Sequence, residues 1–131
     1  MFLKSLTAAL FLSLAALSTG FDATPCHAYS AEVEWLRNQS FNACKKYYVW
    51  RLVENYLQNP RWESGWATDG DYIVNVHGKM QFKGRTVNAM LQFTIDPKRG
   101  KFNMNGLSFN GEPQSKEMRT ALIEAMCEDL G

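Results

Sequence analysis

Residues 72–109, YIVNVHGKMQFKGRTVNAMLQFTIDPKRGKFNMNGLSF, decide the fold, because apolar and polar side chains alternate along them around two turn signals. Lys83-Gly84 reads as a two-residue hairpin turn, which pairs Phe82 with Arg85. Counting outward sets Met80 opposite Val87, Val76 opposite Leu91, Val74 opposite Phe93 and Tyr72 opposite Ile95, all on one face. Turn and pattern agree, and a slip by one residue would move every one of these side chains to the other face. A second turn over residues 96–100, DPKRG, sets Phe102 beside Ile95 and Met104 beside Phe93. The third strand then changes parity: Phe102 and Met104 are even-numbered, whereas Leu107 and Phe109 are odd. One extra residue near Gly106, a β-bulge, restores all four to the same face and brings Leu107 to Leu91 and Phe109 to Ala89. Ala89 in turn faces Gly78, so two small residues make a notch for which Phe109 or Trp50 is the expected occupant.

Helical periodicity flanks this sheet on both sides. Ser30 can cap a helical stretch that Glu32 and Glu34 favour at its positive end. Phe41, Cys44, Tyr48, Leu52 and Tyr56 follow at spacings of three and four, with Val49 and Val53 widening the stripe, to about Gln58, where Asn59-Pro60 stops it. Asn38-Gln39-Ser40 can interrupt the early part, so one long helix and two shorter ones are both admissible. After Gly111-Glu112-Pro113 a last helix carries Met118, Leu122, Ala125 and Met126 on its apolar side, with Cys127 at the margin. The expected class is α+β, in α-β-β-β-α order: a three-stranded antiparallel meander covered on one face by two helices.

Upstream of that domain, Lys4 precedes an uncharged run over residues 5–17 that ends in small residues, the pattern of a secretory signal peptide. The run falls short of the ~20 apolar residues a membrane span needs. Cutting near Thr19 or Phe21 divides the chain into a cleaved signal over residues 1–20 and a single small α+β domain over residues 21–131. Thr24 and Pro25 before Cys26 do not resemble a lipoprotein cleavage box. The expected location is therefore secreted or periplasmic, with no stable membrane span after processing. Lys4 accounts for the single-charge excess of 14 basic over 13 acidic residues, so the domain is formally neutral, which speaks against nucleic acid as a partner.

Three cysteines remain after export into a compartment where disulfides persist. Cys44 with Cys127 is the expected bridge, tying an early helix to the last one, and Cys26 with Cys44 competes.

Two surfaces are candidates for a function. The polar parity of the hairpin places Asn75, His77, Lys79, Gln81, Asn88, Met90, Gln92, Thr94, Asn103 and Ser108 on the face away from the helices, an amide-rich set that offers donors and acceptors together. The second is aromatic: Trp35, Tyr47, Trp50, Trp62 and Trp66 exceed what the helix stripe can bury. Trp50 and Trp66 are expected to fill the core, which leaves Trp35, Tyr47 and Trp62, with Asn75, His77, Asn88 and Gln92, as the candidate partner surface.

Catalytic patterns are thin. His27 and His77 are the two histidines, and neither Cys26 beside His27 nor Cys44 with His77 makes a convincing nucleophile pair. No Gly-x-Ser-x-Gly turn or phosphate loop occurs, and adjacent Cys26-His27 is not spaced for a metal, so no catalytic residue, cofactor or metal is expected. The acids Glu117, Glu124 and Glu128 suit a solvated helix face. The expected function is a non-enzymatic protein-binding or accessory domain of the cell envelope, an inhibitor, immunity-type protein or assembly factor, whose partner is another exported or envelope protein. The alternative is a carrier that holds a small apolar ligand between sheet and helix near Gly78, Ala89 and Phe109.

Overall fold

A computed structural model describes residues 29–131. The order is α1 (Ala31–Arg37), α2 (Val49–Tyr56), β1 (Gln58–Trp66), β2 (Tyr72–Phe82), β3 (Arg85–Asp96), a 3-10 turn (Pro97–Arg99), β4 (Lys101–Phe109), β5 (Glu112–Pro113) and α3 (Lys116–Leu130). The strands form one antiparallel meander, β1-β2-β3-β4-β5. Residues 1–28, which hold the signal-peptide pattern, Cys26 and His27, lie outside the described residues. No described helix is long and apolar enough to cross a membrane.

The central hairpin follows the expected register. Lys83 and Gly84 have φ of 51° and 77°, the positive values that a tight two-residue turn of matching twist requires. Phe82 pairs with Arg85, and Met80, Val76, Val74 and Tyr72 meet Val87, Leu91, Phe93 and Ile95. The parity change in β4 is a bulge: Gln92 pairs with Gly106 while Phe93 pairs with Met104, leaving Asn105 as the extra residue. Its result is that Met104, Leu107 and Phe109 are all buried with Val74, Val76, Leu91 and Phe93. Against this face pack Val33 and Leu36 of α1, Val49, Leu52 and Val53 of α2, and Leu122 and Met126 of α3.

The described residues form a sheet of five strands rather than three, with three α-helices rather than two. Strand β1 escaped the pattern because Trp62 is its one buried residue, and Pro60 sits in the irregular stretch between Gln58 and Arg61 where the register shifts. An edge strand tolerates a proline at such a place, since no ladder donor is lost. The early helical region ends at Tyr56, not Gln58: Leu57 is already extended, with ψ 143°, and the chain enters β1 directly. The break at Asn38-Gln39-Ser40 is real. Asn38 caps α1, its side-chain amide donating to Glu34 O at 3.0 Å, and Val49 N–H then donates to Gln39 O at 2.7 Å to close a loop. Phe41 and Cys44 are buried within that loop rather than on a helix, and Tyr48, expected in the stripe, is 54% exposed at the N-terminus of α2.

The loop and α2 are held to α3 from several points. Cys44 and Cys127 are disulfide-bonded, with Cα atoms 6.0 Å apart. Tyr47 Oη donates to Leu130 O at 3.1 Å, and Asn55 Nδ2 donates to Asp129 Oδ2 at 2.7 Å. At the other end of α3, Ser115 Oγ accepts from Met118 N–H at 3.1 Å and caps the helix.

Gly78 occupies the expected notch, but its occupant is neither Phe109 nor Trp50. A Cβ on Gly78 would lie 2.9 Å from Leu57 Cβ and 3.2 Å from Gln58 O, so the chain leaving α2 crosses directly over the glycine. Phe109 packs on Phe82 instead, with ring centroids 4.7 Å apart.

Candidate functional site

Alternation along a sheet covered on one side assigns every second residue to the uncovered side. On β2 and β3 these are Ile73, Asn75, His77, Lys79, Gln81, Thr86, Asn88, Met90, Gln92, Thr94 and Asp96, and all are half-buried or exposed. The expected residues Asn75, His77, Asn88 and Gln92 therefore share one surface. Strand β4 adds Asn103 and Ser108, opposite Thr94 and Met90. Strand β1 adds Arg61 opposite His77 and Glu63 opposite Asn75. These two were invisible without the strand that carries them.

Glu63 is the most consequential addition, because its Oε2 hydrogen-bonds His77 Nε2 across two strands. The contact orients the imidazole near the middle of the face. Gln81 Nε2 donates to Thr86 Oγ1 at 2.7 Å, and the Asn88 backbone N–H donates to Asn110 Oδ1 at 2.8 Å. Gln92 lies over Gly106, where a Cβ would approach its own Cβ to 3.1 Å, so the bulge leaves room for this amide to lie along the sheet. Asn75 Oδ1 is shielded from water and has no hydrogen-bond partner among the described residues, an acceptor already desolvated.

Two shallow clefts open on this side of the sheet. One, of about 550 Å³, is bordered by Arg61, His77, Lys79, Asn88, Met90 and Ser108. The other, of about 420 Å³, lies along the β1 edge between Glu63, Trp66, Ile73 and Asn75. Their walls carry amides, the cations Arg61 and Lys79, one hydrogen-bonded histidine–carboxylate pair and isolated apolar groups.

The aromatic half of the expected surface lies elsewhere. Trp62 is buried, 9% exposed, on the helix side of β1 and is not available to a partner. The reason is the unseen strand: Trp62 pairs with Val76, an inward position, and so points into the core. Trp35 is half-buried, edge-on to Phe102 at 6.3 Å, and half-buried Tyr47 is held to the end of α3. Trp66, expected in the core, is 74% exposed at the end of β1, edge-on to Tyr72 at 4.9 Å.

Arg37 accounts for much of the aromatic excess. Its guanidinium carbon lies 4.3 Å from the centre of the Tyr29 ring, 4.9 Å from Trp62 and 5.9 Å from Trp50, while Nη1 donates to Glu54 Oε2 at 2.7 Å. Stacked rings around a largely buried arginine join α1, α2 and β1. That cluster is structural.

Cys44 is in the disulfide and lies on the covered side, whereas His77 is on the uncovered side, so the two form no nucleophile pair. Among the described residues no group of three histidine, cysteine or acidic side chains is placed to hold a metal, and no polar or charged residue is fully buried. No known protein family, no curated protein and no solved structure matches this chain.

Proposed function

We propose that this chain is an exported protein-binding domain of the cell envelope, secreted or periplasmic, and that it meets its partner, another exported protein, through the uncovered face of the sheet. The observation that carries the reading is the composition of that face. Four strands present Asn75, His77, Asn88, Met90, Gln92 and Ser108 together, with the charge-bearing Glu63 hydrogen-bonded to His77. A face dense in amides, with Arg61 and Lys79 as cations at its β1 side, can dock a protein edge or loop mainly through neutral donors and acceptors.

Two further observations support it. The Cys44–Cys127 disulfide suits an oxidising compartment. The carrier alternative needs an apolar chamber at Gly78, Ala89 and Phe109, yet Leu57 closes over Gly78, Phe109 packs on Phe82, and Ala89 is 2% exposed.

Met90 stands at the centre of the face, between His77 and Ser108. Met90→Glu places a charge there without touching the core, and is expected to weaken capture of the partner by tenfold or more, about 1.4 kcal/mol of binding, with the melting temperature within a few degrees of wild type. The comparison is made by affinity capture from envelope extract, with Trp66→Ala alongside and mass spectrometry of proteins and small molecules. Capture lost with Trp66→Ala but kept with Met90→Glu would move the interface to the aromatic edge. A stoichiometric lipid in place of a protein would restore the carrier reading.

A further inference from the structure

We propose that the open edge of β4 receives an acidic extended segment of a partner protein as an added strand. This surface lies on the last full strand of the meander and is separate from the sheet face proposed above as the main interface. Strand β5 pairs with β4 only at Ser108 and Phe109, so residues 101–106 have no strand beside them on that edge among the described residues. An edge of this kind presents a row of main-chain donors and acceptors, the template on which strand addition is built.

The edge is not a flat margin. Residues 39–43 rise on one side and the start of α3 on the other, enclosing a groove of about 670 Å³ along residues 100–104. Phe41, Phe102, Met104 and Ile123 supply apolar surface to it, and Lys101, Lys116 and Arg119 supply three positive charges. No aspartate or glutamate lines the groove. The ion pairs of the described residues join Arg37 to Glu34 and Glu54, His77 to Glu63 and Arg99 to Asp96, so none engages these three cations. Three cations around an open strand edge, with no acid lining the groove between them, favour an anionic guest.

The guest's form follows from the geometry. Six residues of β4 are open, which at ~3.3 Å per residue is roughly 20 Å of strand. Gly100 and the 3-10 turn bound one end, and β5 bounds the other, already in the position the added strand would continue. A segment of alternating acidic and apolar residues turns all its carboxylates to one side, the α3 side, where Lys116 and Arg119 stand beside Phe102 and Met104, and its apolar side chains to the other. A lone small anion would leave the main-chain edge and the apolar surface unused.

The test titrates the protein, with Cys44 and Cys127 oxidised, with a fluorescent hexapeptide alternating glutamate and valine. Two control peptides carry lysine in place of glutamate, or N-methyl groups on alternate amides. The glutamate peptide is expected to bind more weakly as salt rises, to protect the amides of residues 101–106 from hydrogen exchange, and to lose roughly tenfold in affinity for the double variant Lys116→Glu, Arg119→Glu. Both controls are expected to bind at least tenfold more weakly than the glutamate peptide. The proposal is overturned by absence of binding at millimolar peptide, by equal binding of the lysine peptide or the charge-reversed variant, or by undiminished binding of the N-methylated peptide. Protection elsewhere in the sheet, or a concentration-dependent dimer that pairs β4 with β4 of a second copy, overturns it as well. Circular dichroism of the double variant shows that it is folded, and retained partner capture by this variant separates failure here from failure of the sheet-face interface.

Discussion

Cys127→Ser lowers the melting temperature of the oxidised protein by roughly 20 °C. The disulfide joins positions 83 apart in the chain, and a loop of that length restricts the unfolded ensemble by an amount worth ~4 kcal/mol in the chain-entropy account. For a domain of this size each kcal/mol corresponds to about 4–8 °C, so even a partial realisation of the effect is easily measured. The native side adds little to the loss, because α3 keeps the Tyr47–Leu130 hydrogen bond to the loop and the Asn55–Asp129 hydrogen bond to α2. Cys44→Ser is expected to match Cys127→Ser, the double variant to be no worse than either, and reductant to bring wild type down to the same level. A Cys127→Ser melting curve that overlays wild type, with Cys26→Ser shifted instead, would assign the bridge to Cys26 and Cys44.

Trp62→Ala is the second large effect, a loss of ~3–5 kcal/mol. Trp62 lies inside the sheet–helix layer, against the Arg37 guanidinium and opposite Val76. Truncation leaves a cavity on one side of a largely buried cation, and that cation also bridges Glu54. Trp62→Phe is expected to cost under about 1.5 kcal/mol, since a ring remains to cover Arg37 and the indole N–H has no acceptor among the described residues to lose. Urea unfolding of the three proteins checks this, with shifted midpoints and equal slopes. A Trp62→Ala midpoint within experimental error of wild type would mean that the ring is at the surface after all.

Much of the sheet was legible because two independent signals coincide in it. Lys83-Gly84 fixes a turn, alternation fixes a face, and only one register satisfies both. The bulge could be read for the same reason: with Phe93 and Leu91 placed, Met104 and Leu107 reach one face only if Asn105 is extra. The amide face came with that register. Strand β1 was not legible, because an edge strand with one buried residue carries almost no alternation, and its proline and its glycine both speak for a loop. Glu63 went unseen with it, and Trp62 was set on the wrong side. The Arg37 cluster draws Tyr29, Trp50, Glu54 and Trp62 from three elements, and no local spacing records such a meeting. Trp50 and Trp66 looked alike as sequence, yet one packs at the end of a helix core and the other hangs at a strand terminus. The groove beside β4 is of the same kind: Lys101 lies on a strand and Lys116 and Arg119 on a helix, and only the packing of α3 brings them to one place.

Site-specific photo-crosslinking in the native cell tests the proposed interface most directly. A photoreactive residue replaces Asn88, exposed on the uncovered sheet face, and in a second protein replaces Arg51, exposed on α2 in the opposite layer. The account predicts a discrete protein adduct from position 88 and none of the same mass from position 51. An adduct from position 51 alone, or a bare sheet face while a partner still co-purifies, would contradict it.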